Sequence, residues 1–337
     1  MRSRVTSKMS DAGYTVGFIG LGAMGGPMAL NILSGGFRLV VHDIRKDAAS
    51  AHLKQGAAWA DIPREVAEQC DVVLTCLPSV ESVEQVAIGP DGVLSGLRKG
   101  QAHFEMSTNS PKVVARLHSA FLEKGVHFLD APITGGAIGA QNARLTIFVG
   151  GDAPSFERFA PVLRAIGDRL IHVGPSGTGI VTKLVNNCAG QTISLVLAEI
   201  FALGVKAGAA PLPLWEALRS GASGRRRTFD VMIDEFLPAH YSPPNAALSI
   251  YYKDMMLATE LGRDLNVPMR FANLALGEYT EAMARDLSDQ DGRITMTLPL
   301  ERVGVKVAED PEAIEEILRR DPPAVSDSKR GAEPERS

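Results

Sequence analysis

Three glycines at positions 20, 22 and 25 separate a run of β-branched and apolar residues from a segment with helical periodicity. Between a strand and a helix, the first glycine permits a tight turn and the second lets a ligand approach the backbone. The third lets the helix pack closely on the strand. Backbone N–H groups at the start of such a helix face an anion such as a pyrophosphate. The spacing therefore predicts a dinucleotide-binding loop made of Gly20, Leu21, Gly22, Ala23, Met24 and Gly25.

An acidic residue at the end of the next predicted strand bears on the choice of dinucleotide. Asp43 follows the first glycine by about 20 residues, where a carboxylate can accept hydrogen bonds from ribose hydroxyls and repel a 2′-phosphate. This position favours NAD over NADP. Arg45 and Lys46 lie beside Asp43 and could soften that preference, so NADP is the alternative cofactor.

Strand-like and helix-like segments continue to alternate through the first half of the chain, as is typical of βαβ units around a parallel sheet. One helix-like segment, Pro111–Lys124, has Ser110 as a predicted N-cap and a proline at its first position. We expect an α/β fold with a doubly wound parallel sheet. Its predicted strands are Thr15–Ile19, Arg38–Asp43, Asp71–Cys76, His103–Met106, His127–Asp130, Thr146–Gly150 and Leu170–Val173.

The strand pattern ends at the turn residues Gly174–Gly177, and helical patterns follow. The predicted helices are Gly179–Lys206, Leu212–Ser220, Ser249–Leu265, Ala272–Leu287 and Asp310–Arg320, with a break at Asn266–Pro268. The first would extend about 40 Å at 1.5 Å per residue, so we expect it to join two domains and to contribute to a subunit interface. A chain of 337 residues also fits two domains. The prediction is a flexible N-terminus (1–13), a dinucleotide-binding domain (14–176), an all-helical domain for substrate binding and oligomerisation (177–307), and a partly disordered extension (308–337).

Charge and composition limit the partners that we expect. The formal net charge is −4 and no basic cluster dominates, so neither nucleic acid nor a membrane surface is a predicted partner. No apolar run reaches the roughly 18 to 20 residues of a membrane span, and no signal peptide is recognisable, so we expect a cytoplasmic protein. The three cysteines lie in apolar runs, and the seven histidines lack metal-ligand spacing. We therefore predict reduced, buried, structural cysteines and no metal site.

Four blocks occur in a fixed order: Gly17–Gly25, Asp130–Gly136, Gly177–Gly179 leading to Lys183 and Asn187, and Lys253–Met255. With these blocks, the chain resembles the β-hydroxyacid dehydrogenases, the family of 3-hydroxyisobutyrate dehydrogenase and tartronate semialdehyde reductase, from about Val16 to Val305. The resemblance implies a Rossmann domain, an all-helical C-terminal domain like that of 6-phosphogluconate dehydrogenase, and an active site in the cleft between them. The long predicted helix Gly179–Lys206 favours a homodimer or homotetramer, and burial of that helix within one chain is the alternative.

The resemblance implies roles for residues outside the glycine-rich loop. Leu77 and Pro78 would lie beside the dinucleotide, and Thr108 and Lys253 would lie near its nicotinamide end. The segment Thr134, Gly135 and Gly136 would hold the substrate carboxylate, since a hydroxyl followed by two glycines can expose N–H groups to an anion. An ordinary glycine turn is the alternative. Family members usually have serine at position 134, and the methyl group of threonine could narrow the pocket.

Lys183 and Asn187 are spaced i, i+4, so on a helix they project from one face, with Asn186 beside them as a substrate-binding candidate. Reduction of a carbonyl needs a proton delivered to oxygen as hydride reaches carbon, and oxidation needs the reverse. A lysine whose pKa is lowered by partial burial can serve both directions. We assign Lys183 as the acid and base and Asn187 as the residue that orients the substrate. A solvent-facing helix lysine is the alternative.

The predicted function is an NAD-dependent oxidoreductase reaction on a small 3-hydroxy acid of the 3-hydroxyisobutyrate type, and the small-molecule partner is the hydroxy acid or a semialdehyde. One alternative is a related reductase or a phosphogluconate-type dehydrogenase for a larger or dianionic acid. Arg225, Arg226 and Arg227 could receive a second anionic group of such an acid, or form a solvated basic loop. Another alternative is a non-catalytic NAD-binding module. Lys183 and Asn187 argue against that module, and Lys183 argues against the imine reductases, which usually lack the lysine.

Overall fold

The computed structural model describes residues 13–206, 208–221, 228–264, 270–320 and 322. The chain divides into two compact units, one ending at Leu184 and the other beginning at Val185, within the helix Thr178–Lys206. Several sequence predictions lie outside the described residues: the structure of the first twelve residues, the break at Asn266–Pro268, the role of Arg225, Arg226 and Arg227, and nearly all of the C-terminal extension beyond Arg320.

The described part of the first unit contains a nine-stranded sheet in the order β3-β2-β1-β4-β5-β6-β8-β7, with β9 paired to β8. The six strands from β3 to β6 in that order are parallel, whereas β8 runs antiparallel to β6 and β7 and parallel to β9. The strands are β1 (Thr15–Ile19), β2 (Arg38–His42), β3 (Ala58–Trp59), β4 (Val72–Thr75), β5 (Ala102–Glu105), β6 (His127–Asp130), β7 (Ile133–Thr134), β8 (Leu145–Gly150) and β9 (Gly167–Gly174).

Helices between the strands cover this sheet and confirm the doubly wound prediction. Strand β4 is buried along its whole length, as expected for a central parallel strand with both faces covered. The helices are α1 (Gly25–Ser34), α2 (Ser50–Lys54), α3 (Pro63–Gln69), α4 (Val80–Ile88), α5 (Val93–Gly96), α6 (Pro111–Glu123), α7 (Gly136–Gln141) and α8 (Ala153–Arg164), with a 3-10 turn at Lys46–Ala49.

Helix α6 shows why these segments are helical. The Ser110 hydroxyl accepts the Lys112 N–H, and Pro111 occupies the first turn, where no intrahelical donor is lost. The helix buries Val113, Val114, Leu117 and Phe121, which recur with helical spacing. The predicted cap and helix are therefore confirmed.

Two short strands were not predicted. Strands β3 and β7 are each two residues long, too short to show the alternation that identifies a strand in sequence. Strand β3 pairs with β2 through Val40 and Ala58, and β7 pairs with β8 through Ile133 and Ile147. Their existence depends on neighbours that are distant in the chain.

The described part of the second unit is helical apart from an isolated bridge between Ala247 and Asp291, which confirms the all-helical prediction. One cluster of buried side chains includes Phe201, Trp215 and Phe236, and another includes Met255 and Tyr279. The helices are α9 (Thr178–Lys206), which begins in the first unit, α10 (Pro211–Ser220), α11 (Leu248–Asp264), α12 (Arg270–Ala284), α13 (Thr297–Arg302) and α14 (Pro311–Arg320), with 3-10 turns at Thr228–Met232 and Gly292–Met296.

The cysteine prediction is corrected in part. All three cysteines are free, but only Cys70 is buried, while Cys76 and Cys188 are half-buried. Cys76 follows β4 where the chain leaves the sheet, and Cys188 lies on α9, so an apolar sequence neighbourhood does not by itself bury them. Among the helices of the described residues, none has the length and apolar character needed to cross a membrane.

Candidate active site

The glycine-rich loop lies between β1 and α1, and two of its glycines are required by the fold. Gly20 has a φ of +92°, and a Cβ there would lie 2.3 Å from the Cys76 carbonyl oxygen. A Cβ on Gly25 would lie 1.9 Å from the Gly20 carbonyl oxygen, so only glycine lets α1 begin this close to the strand. Gly22 differs, because it is exposed and a Cβ there would meet no heavy atom within 4 Å. The open side of the loop at Gly22 leaves room for a ligand to approach the backbone.

Asp43 lies immediately after β2 and its carboxylate is held against the same loop. One oxygen accepts the Leu21 N–H at 2.7 Å, and the other accepts the Arg45 N–H at 2.8 Å. Within the loop, Ala23 is exposed and Met24 is half-buried. A fixed carboxylate beside an open glycine-rich backbone is the donor and acceptor set that a dinucleotide requires, so these residues fit the cofactor.

A buried carboxylate joins the segments that follow β4 and β5. The side chain of Glu105 accepts the Ser107 N–H at 2.8 Å and the Thr75 hydroxyl at 2.6 Å. The Ser107 hydroxyl in turn accepts the Leu77 N–H at 2.8 Å. This network fixes the position of Leu77 relative to Ser107, and Thr108 is the next residue in the chain. Sequence reasoning missed Glu105 and Ser107, although a carboxylate within a strand of the predicted parallel sheet was a signal.

The other residues of the first unit that the sequence predicted for the site lie at or just after the ends of strands. Pro78 is exposed, and Thr108 and Thr134 are half-buried. Gly135 and Gly136 are exposed and have φ values of +129° and +63°, which favour glycine. Thr134 ends β7 and Gly136 begins α7, so the segment is a turn with its backbone open to solvent.

The start of α9 is fixed by a second buried carboxylate that sequence reasoning did not single out. Asp130, at the end of β6, is 1% exposed. One of its oxygens accepts the Gly177 N–H at 2.7 Å and the other accepts the Ile180 N–H at 2.8 Å. Burial raises the pKa of Asp130 to about 6, and hydrogen bonds from Gly177, Ile180 and Gly179 act in the opposite direction.

Lys183 lies on α9 one turn after this capped start, and it is buried, with 9% of its surface exposed. This burial does not match the alternative of a solvent-facing helix lysine. An amine that is largely withdrawn from water is a candidate for proton transfer.

In the second unit, one carboxylate brings two predicted residues together. Asp254 accepts a hydrogen bond from Asn187 Nδ2 at 2.5 Å, and its other oxygen lies 3.4 Å from Lys253 Nζ. Asn186 is exposed, and its amide donates to Asn187 Oδ1 at 3.3 Å. The sequence analysis included Asp254 in a block but gave it no role. Because Asp254 binds the Nδ2 of Asn187, it fixes which end of that amide faces it.

Family comparisons cover both units. Residues 15–174 match a family described as the NAD binding domain of 6-phosphogluconate dehydrogenase. Residues 177–298 match a family described as "NAD-binding of NADP-dependent 3-hydroxyisobutyrate dehydrogenase". The 2-(hydroxymethyl)glutarate dehydrogenase of Eubacterium barkeri is 35% identical over 293 residues, which cover 87% of this chain and 97% of that protein. The chain belongs to the β-hydroxyacid dehydrogenase family.

Other β-hydroxyacid dehydrogenases match over similar lengths. The NAD-dependent L-serine dehydrogenase of Pseudomonas aeruginosa is 32% identical, over 84% of this chain and 97% of that protein. A solved 3-hydroxyisobutyrate dehydrogenase of Mycobacterium tuberculosis, determined with L-serine, superposes with a TM-score of 0.76 at 27% identity. The superposition covers 84% of this chain and 98% of the Mycobacterium tuberculosis chain. The chain is thus an NAD(P)-dependent dehydrogenase, and the enzyme class inferred from its four sequence blocks is confirmed.

Proposed function

We propose that this enzyme transfers a hydride between NAD and a small 3-hydroxy acid of the 3-hydroxyisobutyrate type, with Lys183 as general acid and base. The observation that carries the proposal is the burial of Lys183 on α9, one turn after a helix start fixed by Asp130. A buried amine at a rigid position can exchange a proton with one substrate atom without competition from bulk water. Relatives of this chain are named for 3-hydroxyisobutyrate, serine and 2-(hydroxymethyl)glutarate. In each of these acids, the carbon that bears the hydroxyl group lies two positions from a carboxylate carbon.

The cofactor would be held by the glycine-rich loop and by the segments after β2, β4 and β5. When bound, its nicotinamide ring accepts hydride in the oxidation and supplies it in the reduction. The proposed binding residues are Gly20, Leu21, Gly22, Ala23, Met24, Gly25, Asp43, Leu77, Pro78, Thr108 and Lys253. We propose NAD rather than NADP because the Asp43 carboxylate is fixed by two backbone donors, and its negative charge would repel a 2′-phosphate.

The substrate would be held at its carboxylate by the Thr134 hydroxyl and the backbone of Gly135 and Gly136. Asn187, with Asn186 beside it, would orient the hydroxyl-bearing carbon. During oxidation, the neutral amine of Lys183 takes the hydroxyl proton as the carbon loses hydride. During reduction, its ammonium returns a proton to the carbonyl oxygen as hydride arrives. Proton and hydride therefore leave, or arrive at, neighbouring atoms in the same step.

The test compares the wild-type enzyme with Lys183→Ala in a spectrophotometric assay of NADH formation. Substrates are 3-hydroxyisobutyrate, L-serine, glycerate, threonate, 4-hydroxybutyrate and 2-hydroxymethylglutarate, each with NAD and NADP. We expect kcat to fall by about 100-fold or more for Lys183→Ala, within the range typical of general acid and base residues. NADH affinity, measured by fluorescence titration, should stay within twofold. Lys99→Ala, which removes an exposed lysine of the same unit, is the matched control. Wild-type turnover by Lys183→Ala would overturn the assignment.

A dianionic substrate is a second candidate that one observation favours. The relative from Eubacterium barkeri, at 35% identity, is named for 2-(hydroxymethyl)glutarate, which carries two carboxylates. Arg225, Arg226 and Arg227 supply three guanidinium groups that could pair with a second carboxylate. On this reading, 2-hydroxymethylglutarate would have the highest kcat/KM of the panel, and Arg226→Gln would lower it far more than the value for 3-hydroxyisobutyrate. Equal losses for both acids would exclude arginine recognition of the second carboxylate.

We also propose that the enzyme is a homodimer or homotetramer. Helices of the second unit leave large apolar side chains in solvent, among them Ile193 and Val196 on α9 and Phe271 and Leu274 on α12. Apolar surface of this kind typically marks a protein contact. A second copy of the chain is the partner that we infer.

A further inference from the structure

Asp130 links two parts of the proposed catalytic site through backbone alone. The strand that it ends, β6, continues through three residues to Thr134, the start of the proposed carboxylate-binding turn. The N–H groups that it accepts belong to Gly177 and Ile180, and Ile180 precedes Lys183 by three residues on α9. One side chain therefore sets the position of the lysine-bearing helix relative to the strand that leads to the turn.

Two glycines make this link possible, which indicates a tightly specified junction. A Cβ on Gly150 would lie 2.7 Å from Asp130 Oδ1 and 2.7 Å from the Gly179 nitrogen. A Cβ on Gly179 would lie 2.4 Å from the Asp130 carbonyl oxygen and 2.7 Å from that of Phe148. The first turn of α9 therefore lies directly against β6 and β8. Any larger residue at either position would push α9 away from the sheet.

The carboxylate at this junction is costly to the fold. Asp130 is withdrawn from water, and its pKa lies above the ordinary aspartate value because burial penalises the charged form. An ordinary helix cap does not need burial: Asp152 caps α8 from a position where 46% of its side chain is exposed, by accepting the Ser155 N–H at 2.9 Å. Perturbed carboxylates of this kind are more common at functional sites than elsewhere.

We propose that Asp130 is a positioning residue for the reaction, which holds the Lys183 amine in register with the carboxylate-binding turn at Thr134. The inference rests on the proposed function, because it assigns Asp130 an effect that passes through Lys183. Asp130 contacts neither substrate nor cofactor in this scheme. It acts by bonding to the backbone of the turn that precedes the lysine, and rigid placement of a proton donor within about 1 Å is worth on the order of 100-fold in rate.

The experiment is a double-mutant cycle on the full-length enzyme. Asp130→Asn keeps the shape of the side chain but replaces one acceptor oxygen with an NH2 group, which cannot accept the N–H of Gly177 or Ile180. We expect Asp130→Asn to lower kcat by about 30-fold or more in the wild-type background, and by less than threefold in the Lys183→Ala background. NADH affinity by fluorescence titration should stay within twofold. Asp152→Asn, the same change at another helix cap, should alter kcat by less than twofold in both backgrounds.

The outcomes separate this inference from the proposed function. If Asp130→Asn lowers kcat by the same factor in both backgrounds, the residue is only structural and the inference is overturned, while Lys183 keeps its role. A wild-type kcat in Asp130→Asn also overturns it. A wild-type kcat in Lys183→Ala instead overturns the proposed function, and the inference falls with it. If Asp130→Asn does not fold, Asp130→Ser, which is too short to reach α9, enters the same cycle with the same expectations.

Discussion

At the level of single residues, Asp43 connects the cofactor preference to the glycine-rich loop. Its two oxygens accept the N–H groups of Leu21 and Arg45, so the carboxylate cannot turn away from the end of β2. Lys46, the other nearby cation, lies 3.8 Å from Asp61 and 5.2 Å from the centre of the Trp59 ring. The charge that these two hydrogen bonds hold at the end of β2 is negative, which is the basis of the NAD preference that we propose.

We predict that Asp43→Ser shifts the enzyme towards NADP. The ratio of kcat/KM with NAD to kcat/KM with NADP should fall by about 10-fold or more, because a hydrogen bond to a charged group contributes roughly 1.5 to 3 kcal/mol. Steady-state kinetics with both cofactors measure the ratio. Asp91→Ser, which removes an exposed carboxylate paired with Arg64, is the control and should leave the ratio within twofold. The NAD assignment to Asp43 would be contradicted if both variants behaved alike.

At the level of elements, the second unit contains a buried cluster with two carboxylates and one guanidinium. Asp291 caps the 3-10 turn Gly292–Met296 by accepting the Arg293 N–H at 2.9 Å. Arg293 Nη1 lies 3.3 Å from Asp291 Oδ1 and 3.2 Å from Glu235 Oε2. Burial raises the pKa of Glu235 to about 7, and the charges of Asp291 and Asp234 add to this, while Arg293 and Asn245 oppose it. When Glu235 is ionised, the single positive charge of Arg293 therefore faces two negative carboxylates, those of Glu235 and Asp291.

We predict that Glu235→Gln becomes more stable relative to wild type as pH rises. The pKa of Glu235 in the folded state, about 7, exceeds its ordinary value of 4.5, so folding favours the protonated form. The contribution of Glu235 to the free energy of unfolding is complete below pH 4.5, where the side chain is protonated, and is lost as pH rises through 7. The difference in free energy of unfolding should change by on the order of 2 kcal/mol between pH 5 and pH 8. Urea unfolding at both pH values measures it, and Glu312→Gln, at an exposed position, should show no such trend.

At the level of the whole molecule, the second unit presents apolar side chains that its own core does not cover. Phe271 and Leu274 on α12 are 69% and 70% exposed, and Ile250 and Met256 on the neighbouring helix α11 are also exposed. The adjoining stripe of α12 contributes Ala275 and Tyr279 to a buried cluster. An apolar surface that extends beyond the buried stripe of a helix typically marks a contact with another protein chain.

We predict that Leu274→Glu dissociates the oligomer. A carboxylate placed in an apolar interface loses its hydration, and each buried leucine side chain contributes about 1.5 to 3 kcal/mol. Light scattering coupled to size-exclusion chromatography should give a dimer or tetramer for the wild type and a smaller species for the variant. Leu122→Glu, a change at a 64%-exposed leucine of the first unit, should leave the mass unchanged. The proposed interface would be wrong if Leu274→Glu retained the wild-type mass.

The sequence by itself determined the fold class and the family, because both depend on local patterns. The requirement for glycine at position 25 comes from a steric contact with Gly20 in the same turn, and the strands and helices come from the periodicity of neighbouring residues. The spacing of Lys183 and Asn187 is likewise local. These features needed only short windows of the chain.

Only the tertiary structure decided which partners hold the candidate residues. Asp130 bonds to residues 47 and 50 positions away, and Asp254 bonds to Asn187 across 67 positions. The short strands β3 and β7 pair with residues 18 and 14 positions away, and the burial of Lys183 is likewise a property of the folded chain. No local pattern encodes such pairs, because a hydrogen bond between distant residues and the exclusion of water around a side chain exist only once the chain has folded.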